Sequence, residues 1–350
     1  MRGGNAHRWR FLLSVCLSAL LALVALSAAS APDAADVPAR GDDDGTGILR
    51  RAAKAAQNVS YTGVRSVATR VGSNGVTTER IEVVHRPGEG TRVSAAAGSR
   101  RLLLRSSPAL LRLDTRALEI LESNFRIVRG GSGVVCGRPV TVVKAVREDG
   151  TLAGRFWVDD ATGLPMRKET RDRAGGVVHA TVFATVEIGA AGSSGARADA
   201  RAEPWDDVVS ERERSRLRDA GWHLPERLSW DLRLLNARST RESGRRVVHL
   251  VYSDGVSAVS VFVQRGRLSA ESVGTSGGWQ PVVVDGGTVY VSDTGQQRRV
   301  WESGGYVYTI LANAPPAAVE TAEERLPGPA EGVWPRVERG FLRMGSWLVG

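Results

Sequence analysis

Between Val134 and Ile188 the chain alternates strand-like runs and turn residues at a pitch that leaves little besides an antiparallel meander. Val140 to Val146 is β-branched, and Arg155 to Asp159 alternates, with Phe156 and Val158 on one face and Trp157 on the other. Asp160-Ala161-Thr162-Gly163 has turn chemistry, Leu164 to Thr170 returns, Asp172 to Gly176 turns again, and Val177 to Ile188 makes a long strand. Connections this short join antiparallel neighbours. A sheet of that kind must bury one face, and the segment Ile48 to Gln57 offers a cover: Ile48, Leu49, Ala52, Ala53 and Ala56 recur near a 3.6-residue period. The fold class expected is therefore α+β.

Around the meander the organisation follows from punctuation. Val59 to Thr69 and Thr77 to His85 flank Asn74-Gly75, a strong hairpin signal. Arg101 to Leu113 is a further apolar stretch, broken at Pro108. Residues 189–204 are Gly, Ala, Ser, Asp and Arg without periodicity, which marks a domain boundary. Asp206 to Asp219 reads as a charged helix, and Trp222 to Leu235 opens a second domain. Arg246 to Gln264 reads as two strands around Ser253-Asp254-Gly255. Strands near Trp279 to Val284, Val289 to Ser292, Arg298 to Trp301 and Tyr306 to Leu311 follow. Pro315-Pro316 then starts a helix, Ala317 to Arg325, at the position where a missing N–H costs nothing. The expected division is a leader or anchor at 1–31, a tether at 32–47, an N-terminal domain at 48–190, a linker with a charged helix at 191–215, a smaller β-rich C-terminal domain at 216–326, and a tail at 327–350. In the tail Trp334, Val337, Phe341, Met344 and Leu348 are spaced for an amphipathic helix, packed on its own domain or lying on a membrane surface.

The first residues set the compartment. Arg2, Arg8 and Arg10 precede an apolar run from Phe11, and Ser27-Ala28-Ala29 supplies the small residues of a secretory cleavage site. Phe11 to Ala31 is also long enough for an uncleaved anchor. Either reading places the body of the protein outside the cytoplasm. Cys16 sits inside the apolar run, so cleavage removes it and Cys136 is the one cysteine left. An internal disulfide and a thiolate metal site are then excluded. Cys136 is read as a buried small hydrophobe, with an intermolecular disulfide as the alternative.

The net charge of +9 invites a nucleic-acid reading, but the positives are interleaved with acids, as from Glu211 to Arg218, and form no stripe. No nucleic-acid partner is expected. Catalytic patterns are thin. Gly274-Thr275-Ser276-Gly277-Gly278 fits G-x-S-x-G, yet strands flank it on both sides where a nucleophile elbow needs a helix. A hydrolase using Ser276 is the least favoured function. His85, His179, His223 and His249 have no partner three or four residues away, so no helix face carries a metal pair. Asp159-Asp160 reads as turn chemistry, and Asp42 to Asp44 lacks the spacing of a calcium loop. The glycosylation sequon Asn58-Val59-Ser60 starts a strand and carries no assigned function. No phosphate or dinucleotide loop is present in the sequence, and no cofactor or metal is expected.

Two blocks resemble a known family. In the first, Leu49, Ala52 and Ala56 lead into Asn58-Val59-Ser60-Tyr61-Thr62-Gly63, then Ile81 and Val84-His85. It continues with Arg155-Phe156-Trp157-Val158-Asp159, Thr162-Gly163-Leu164-Pro165 and Gly176 to Phe183. The second is His249 to Val263, with Tyr252-Ser253-Asp254-Gly255 and Ser260-Val261-Phe262. Over about residues 48 to 325 their order and spacing resemble the RseB/MucB family, regulators of an extracytoplasmic sigma factor pathway. Three departures stand out. Gly88 to Asn124 is shorter and Arg-rich, Arg92 to Leu104 is weakly matched, and nothing after Gly328 has a counterpart. The resemblance implies a half-open antiparallel β barrel packed on helices, similar to lipoprotein carriers, followed by a small β-rich domain. It implies a non-catalytic protein that binds the outer segment of a membrane anti-sigma factor and limits its proteolysis, with release by a lipid-type ligand. Phe156, Val158, Leu164 and Phe183 are the ligand-cavity candidates. Tyr252, Asp254 and Phe262 are the partner-binding candidates, against the reading that Tyr252 to Gly255 is a structural turn and Phe262 is core. A lipid or lipoprotein carrier or sensor of the envelope is the alternative function.

Overall fold

The structure, a computed structural model, describes residues 43–71, 75–95, 113–189, 207–242, 244–268, 279–284, 286–292 and 297–329. The leader, Asn74, most of the stretch from Arg101, the boundary at 190–204, Ser276 and the tail after Pro329 lie outside them. The chain forms two compact units. The first is Met1–Glu203 with Ser253–Ala258 and Asn313–Pro315, and the second is Pro204–Tyr252, Val259–Ala312 and Pro316–Gly350.

The first unit opens with helix α1 (Asp43–Asn58). It starts five residues before the expected Ile48. Ile48, Leu49, Ala52, Ala53 and Ala55 are buried along one face, as the periodicity predicts. The sheet consists of β1 (Tyr61–Val71), β2 (Gly75–Arg86), β3 (Gly90–Ala95), β4 (Arg126–Val135), β5 (Arg138–Val146), β6 (Leu152–Asp159), β7 (Pro165–Arg171) and β8 (Val177–Ile188), with α2 (Thr115–Asn124) between β3 and β4. Its order is β3-β2-β1-β8-β7-β6-β5-β4, antiparallel throughout, with β3 and β4 as its two edges.

That order alone describes an open sheet; its side chains show how far it curls. Val135 of β4 and Val140 of β5 share one buried cluster with Tyr61 of β1, Ile81 and Val83 of β2, and Phe183 of β8. The Cys136 thiol, between β4 and β5, reaches the Phe183 carbonyl of β8 at 2.9 Å, past β6 and β7, which requires the sheet to roll toward a barrel. The fold is the half-open antiparallel barrel packed on helices that the resemblance implies. α1 lies across it closely: a Cβ on Gly45 would come 3.2 Å from the backbone of Val128 and Arg129 in β4. Arg50 of α1 pairs with Glu122 of α2 at 3.2 Å.

Three elements of the first unit, β3, β4 and α2, escape the sequence reading. β4 carries Gly130, Gly131 and Gly133, which weaken any strand pattern, and its register with β5 shifts between Arg129 and Ser132. α2 is short and charged outside, but Asp114 caps it, its carboxylate accepting from the Ala117 N–H at 2.8 Å.

Cys136 corrects an expectation: it is exposed. With Gly137 it forms a two-residue hairpin loop in which both φ angles are positive, 52° and 72°. A turn of that type projects from the ends of its strands, which is no place for a core residue. The thiol donates to the Phe183 carbonyl at 2.9 Å, and burial pushes its pKa up. Native protein is therefore expected to take up a maleimide at Cys136, at a rate that keeps rising above the ordinary thiol range. No reaction before unfolding would show the sulfur to be shielded.

The second unit holds a sheet of β9 (Asp207–Val208), β10 (Arg233–Glu242), β11 (Arg245–Ser253), β12 (Ala258–Arg265), β13 (Gln280–Val284), β14 (Gly287–Ser292), β15 (Gln297–Ser303) and β16 (Tyr306–Asn313), in the order β13-β14-β15-β16-β12-β11-β10-β9. Helix α3 (Glu211–Asp219) follows β9, and Ser210 caps it by accepting from the Glu213 N–H at 3.3 Å. Helix α4 (Pro316–Arg325) buries Val319 and Ala322. Trp301 and Tyr308 stack at 5.6 Å in the core, and the Trp301 indole donates to the Pro327 carbonyl at 2.8 Å. Among the described residues no helix is long and apolar enough to cross a membrane.

Candidate functional site

The site is built on the face of the first sheet that α1 covers. Cross-strand register places Phe156 opposite Lys168, Lys168 opposite Thr181, and Arg65 opposite Phe183. Residues paired in this way point to the same face of a sheet. Of these, Arg65, Phe156, Lys168 and Thr181 line a cavity of about 30 Å³ together with Ala56, Tyr61, Thr91, Leu113, Leu164, Pro165 and Arg167.

Of the four cavity candidates, Phe156 and Leu164 stand in this wall. Val158 is fully buried and Phe183 nearly so; neither is a wall residue. Phe183 meets the Tyr61 ring edge-on at 5.7 Å and lies under the Arg65 guanidinium, 4.1 Å from ring centroid to carbon.

The sequence reading missed the cations. Arg65 is 8 % exposed. Its Nη2 donates to the Pro165 carbonyl at 3.3 Å, and its Nε is buried without a partner among the described residues. Burial lowers its pKa, with the Tyr61 hydroxyl working the other way. Lys168 sits 5.7 Å from the Phe156 ring centroid. Burial lowers its pKa to about 8, against the opposing field of Asp254. Arg167 lies over Trp157 at 4.4 Å and pairs with Glu169, which also takes Arg171 at 3.2 Å. Basic residues on an alternating strand read as its outward face, so the pattern alone could not have placed them inside. The visible signal was the count: Lys168 is one of three lysines in the chain.

The histidines have structural partners. His85 joins Thr91 Oγ1 at 2.9 Å and the Gln57 carbonyl at 3.0 Å, and stacks on Tyr61 at 5.2 Å. His179 joins Thr69 Oγ1 at 3.2 Å, and burial, with Lys168 nearby, lowers its pKa to about 3. No group of three or more His, Cys, Asp or Glu among the described residues could hold a metal ion.

Of the partner-binding candidates, Tyr252 and Asp254 sit at a tightly bonded turn and Phe262 lies in β12. Tyr252 has no exposed surface, and its hydroxyl donates to the Pro225 carbonyl at 2.6 Å. The Asp254 carboxylate accepts from the backbone N–H groups of Val256 and Ser257, at 2.8 and 2.5 Å. Ser253 Oγ donates to the Ser257 carbonyl at 2.8 Å. Within the first unit the Asp254 carbonyl accepts from Asn124 Nδ2 at 3.1 Å, and Thr170 Oγ1 donates to the Val256 carbonyl at 3.2 Å. Phe262 stacks on His249 at 4.2 Å and keeps part of its surface open. Tyr252→Phe is expected to cost about 1 kcal/mol, the worth of one buried hydrogen bond. Urea unfolding measures it, and an unchanged midpoint would mean the hydroxyl contributes nothing.

Comparison with known proteins bears on this stretch. Residues 93–208 match the model of the MucB/RseB N-terminal domain. They run from β3 to β9 and include the whole meander, and over them the resemblance read from the residues is shown. No curated protein matches in sequence. Among solved structures, MucB is similar at 22 % identity, covering 80 % of this chain and 96 % of that one, with a TM-score of 0.48. The MucA/MucB complex of Pseudomonas aeruginosa is similar at 21 % identity, covering 82 % and 100 %, with a TM-score of 0.43. A LolA superfamily protein of Nitrosomonas europaea is similar at 8 % identity, covering 77 % and 91 %, with a TM-score of 0.19.

Proposed function

We propose that this protein, whose residues 93–208 match the MucB/RseB N-terminal domain, acts outside the cytoplasm by binding the outer segment of a membrane anti-sigma factor and limiting its proteolysis. The family match carries the reading. The relative seen in complex with MucA supplies the kind of partner. The basic and apolar leader, read as an export signal, agrees with the compartment.

An extended segment held on a folded surface cannot enter a protease cleft. A ligand in the cavity of the first unit weakens that hold if it binds the free form more tightly than the bound one. Phe156, Val158, Leu164 and Phe183 serve this ligand as wall and backing. Of the partner-binding candidates, Phe262 offers open surface, while Tyr252 and Asp254 act by holding their turn in shape.

The test is titration of the purified protein against the outer segments of the host's anti-sigma factors, with and without cell-envelope lipid. Saturable binding to one segment, slower cleavage of that segment, and weakening by lipid are expected. Binding to no segment would overturn the reading. Retention of a lipid through purification would then favour the carrier alternative.

A further inference from the structure

We infer that the cavity under α1 is an oxyanion site, taking one carboxylate or phosphate group between Arg65 and Lys168. The inference rests on the reading that the first unit binds a ligand, and names that ligand's chemistry. Among the described residues the wall includes two arginines and a lysine but no aspartate or glutamate. Arg167 is accounted for by Glu169, and Glu169 is itself engaged by Arg171. Among the described residues Arg65 has one carbonyl for its charge, a ring beneath it, and a buried Nε with no partner.

Among the described residues Lys168 has no ion pair within 4 Å. The carboxylate whose field reaches it, Asp254, is occupied by two backbone N–H groups of its own turn. A buried charge without a counter-charge is costly unless a ligand supplies one. Arg and Lys around a small enclosure match the geometry of carboxylate and phosphate oxygens.

The hydroxyls of Thr91 and Thr181 stand in the same wall as further donors. The volume fits the chemistry: about 30 Å³ holds about two water molecules on this measure, the size of one carboxylate. Among the described residues the enclosed space is smaller than an acyl chain, so an amphiphile would present its head here.

The chain's three lysines, Lys54, Lys144 and Lys168, make the test readable. Purified protein labelled at lysine Cε is titrated with pH by NMR, alone, with inorganic phosphate, with palmitate, and with a cationic amphiphile of equal chain length. An anionic probe is expected to move the Lys168 titration upward by at least one pH unit and leave Lys54 and Lys144 in place. Lys168→Met is expected to weaken the same probe at least tenfold, as is Arg65→Met if that variant folds.

A response to phosphate alone identifies a free oxyanion as sufficient. A response confined to palmitate identifies the head of an amphiphile. No movement of Lys168 with either anion, or equal movement with the cationic amphiphile, overturns the inference. The readout uses no anti-sigma segment, so the two readings fail separately. Lys168 can respond where no segment binds, and a segment can bind where Lys168 is silent.

Discussion

Gly63→Ala is expected to lower the stability of the first unit by about 3 kcal/mol, near the upper end of overpacking effects. A Cβ at this position would lie 2.2 Å from the Thr185 carbonyl oxygen and 3.1 Å from the Val186 Cα. Both are backbone atoms, so no rotamer change relieves the overlap. β1 pairs with β2 on one side and β8 on the other, and Gly63 faces Val83 and Val186, so the strand has nowhere to retreat. The close approach has a local cause: the β1–β8 register shifts at Val64/Arg65, next to Gly63.

Gly47 is the control. It lies within α1, and a Cβ there meets nothing within 4 Å. Gly47→Ala should raise stability by about 0.5–1 kcal/mol through helix propensity. Urea midpoints of both variants measure the contrast. Equal small effects would mean that the sheet relaxes around the added methyl and the contact is not rigid.

Gly63 also shows which parts of this fold are legible in sequence. It lies in the Ser60-Tyr61-Thr62-Gly63 segment that carried the family resemblance, and its reason is steric, visible only once β8 is in place. The meander was readable because each strand ends at residues with their own turn chemistry. Asp172 accepts from the Gly176 N–H at 2.7 Å, and Gly163 bonds back to the Asp159 carbonyl at 2.8 Å. β4 was not readable, since Gly130, Gly131 and Gly133 erase the alternation on which a strand is recognised. Phe156 and Leu164 were placed on the cavity by alternation and a turn. Arg65 and Lys168 were not, because polarity on a strand signals solvent unless the opposite wall is known. Cys136 was misplaced for a related reason: residue type argued for burial, and the positive φ that the loop demands argued against it.

Asp159→Asn is expected to destabilise the first unit by about 2–4 kcal/mol at neutral pH, somewhat less than breaking a fully buried pair, because Arg138 is partly exposed. The Asp159 carboxylate is almost wholly buried and accepts from Arg138 Nε at 2.7 Å and Arg138 Nη2 at 3.0 Å. It also accepts from the Thr162 N–H at 2.8 Å and Thr162 Oγ1 at 2.7 Å. One carboxylate thus ties β5 to the β6–β7 turn. An amide presents one acceptor where four donors converge, and leaves the arginine without a counter-charge. Burial alone would raise the pKa of Asp159, but the Arg138 and Thr162 hydrogen bonds outweigh it and hold the carboxyl below its ordinary value. An unfolded aspartate titrates near about 3.9. The stabilisation is therefore complete above that value and is lost as pH falls through the lower, folded value. The asparagine variant has no such titration. The gap between the two proteins should be widest at pH 7, hold down to about pH 4, and shrink below it as the native carboxylate is protonated. Urea unfolding of both at pH 7, 4 and 2.5 measures this. A gap that stays constant at pH 2.5 would show that the side chain acts through shape alone, and that the charge of Asp159 does not hold the turn.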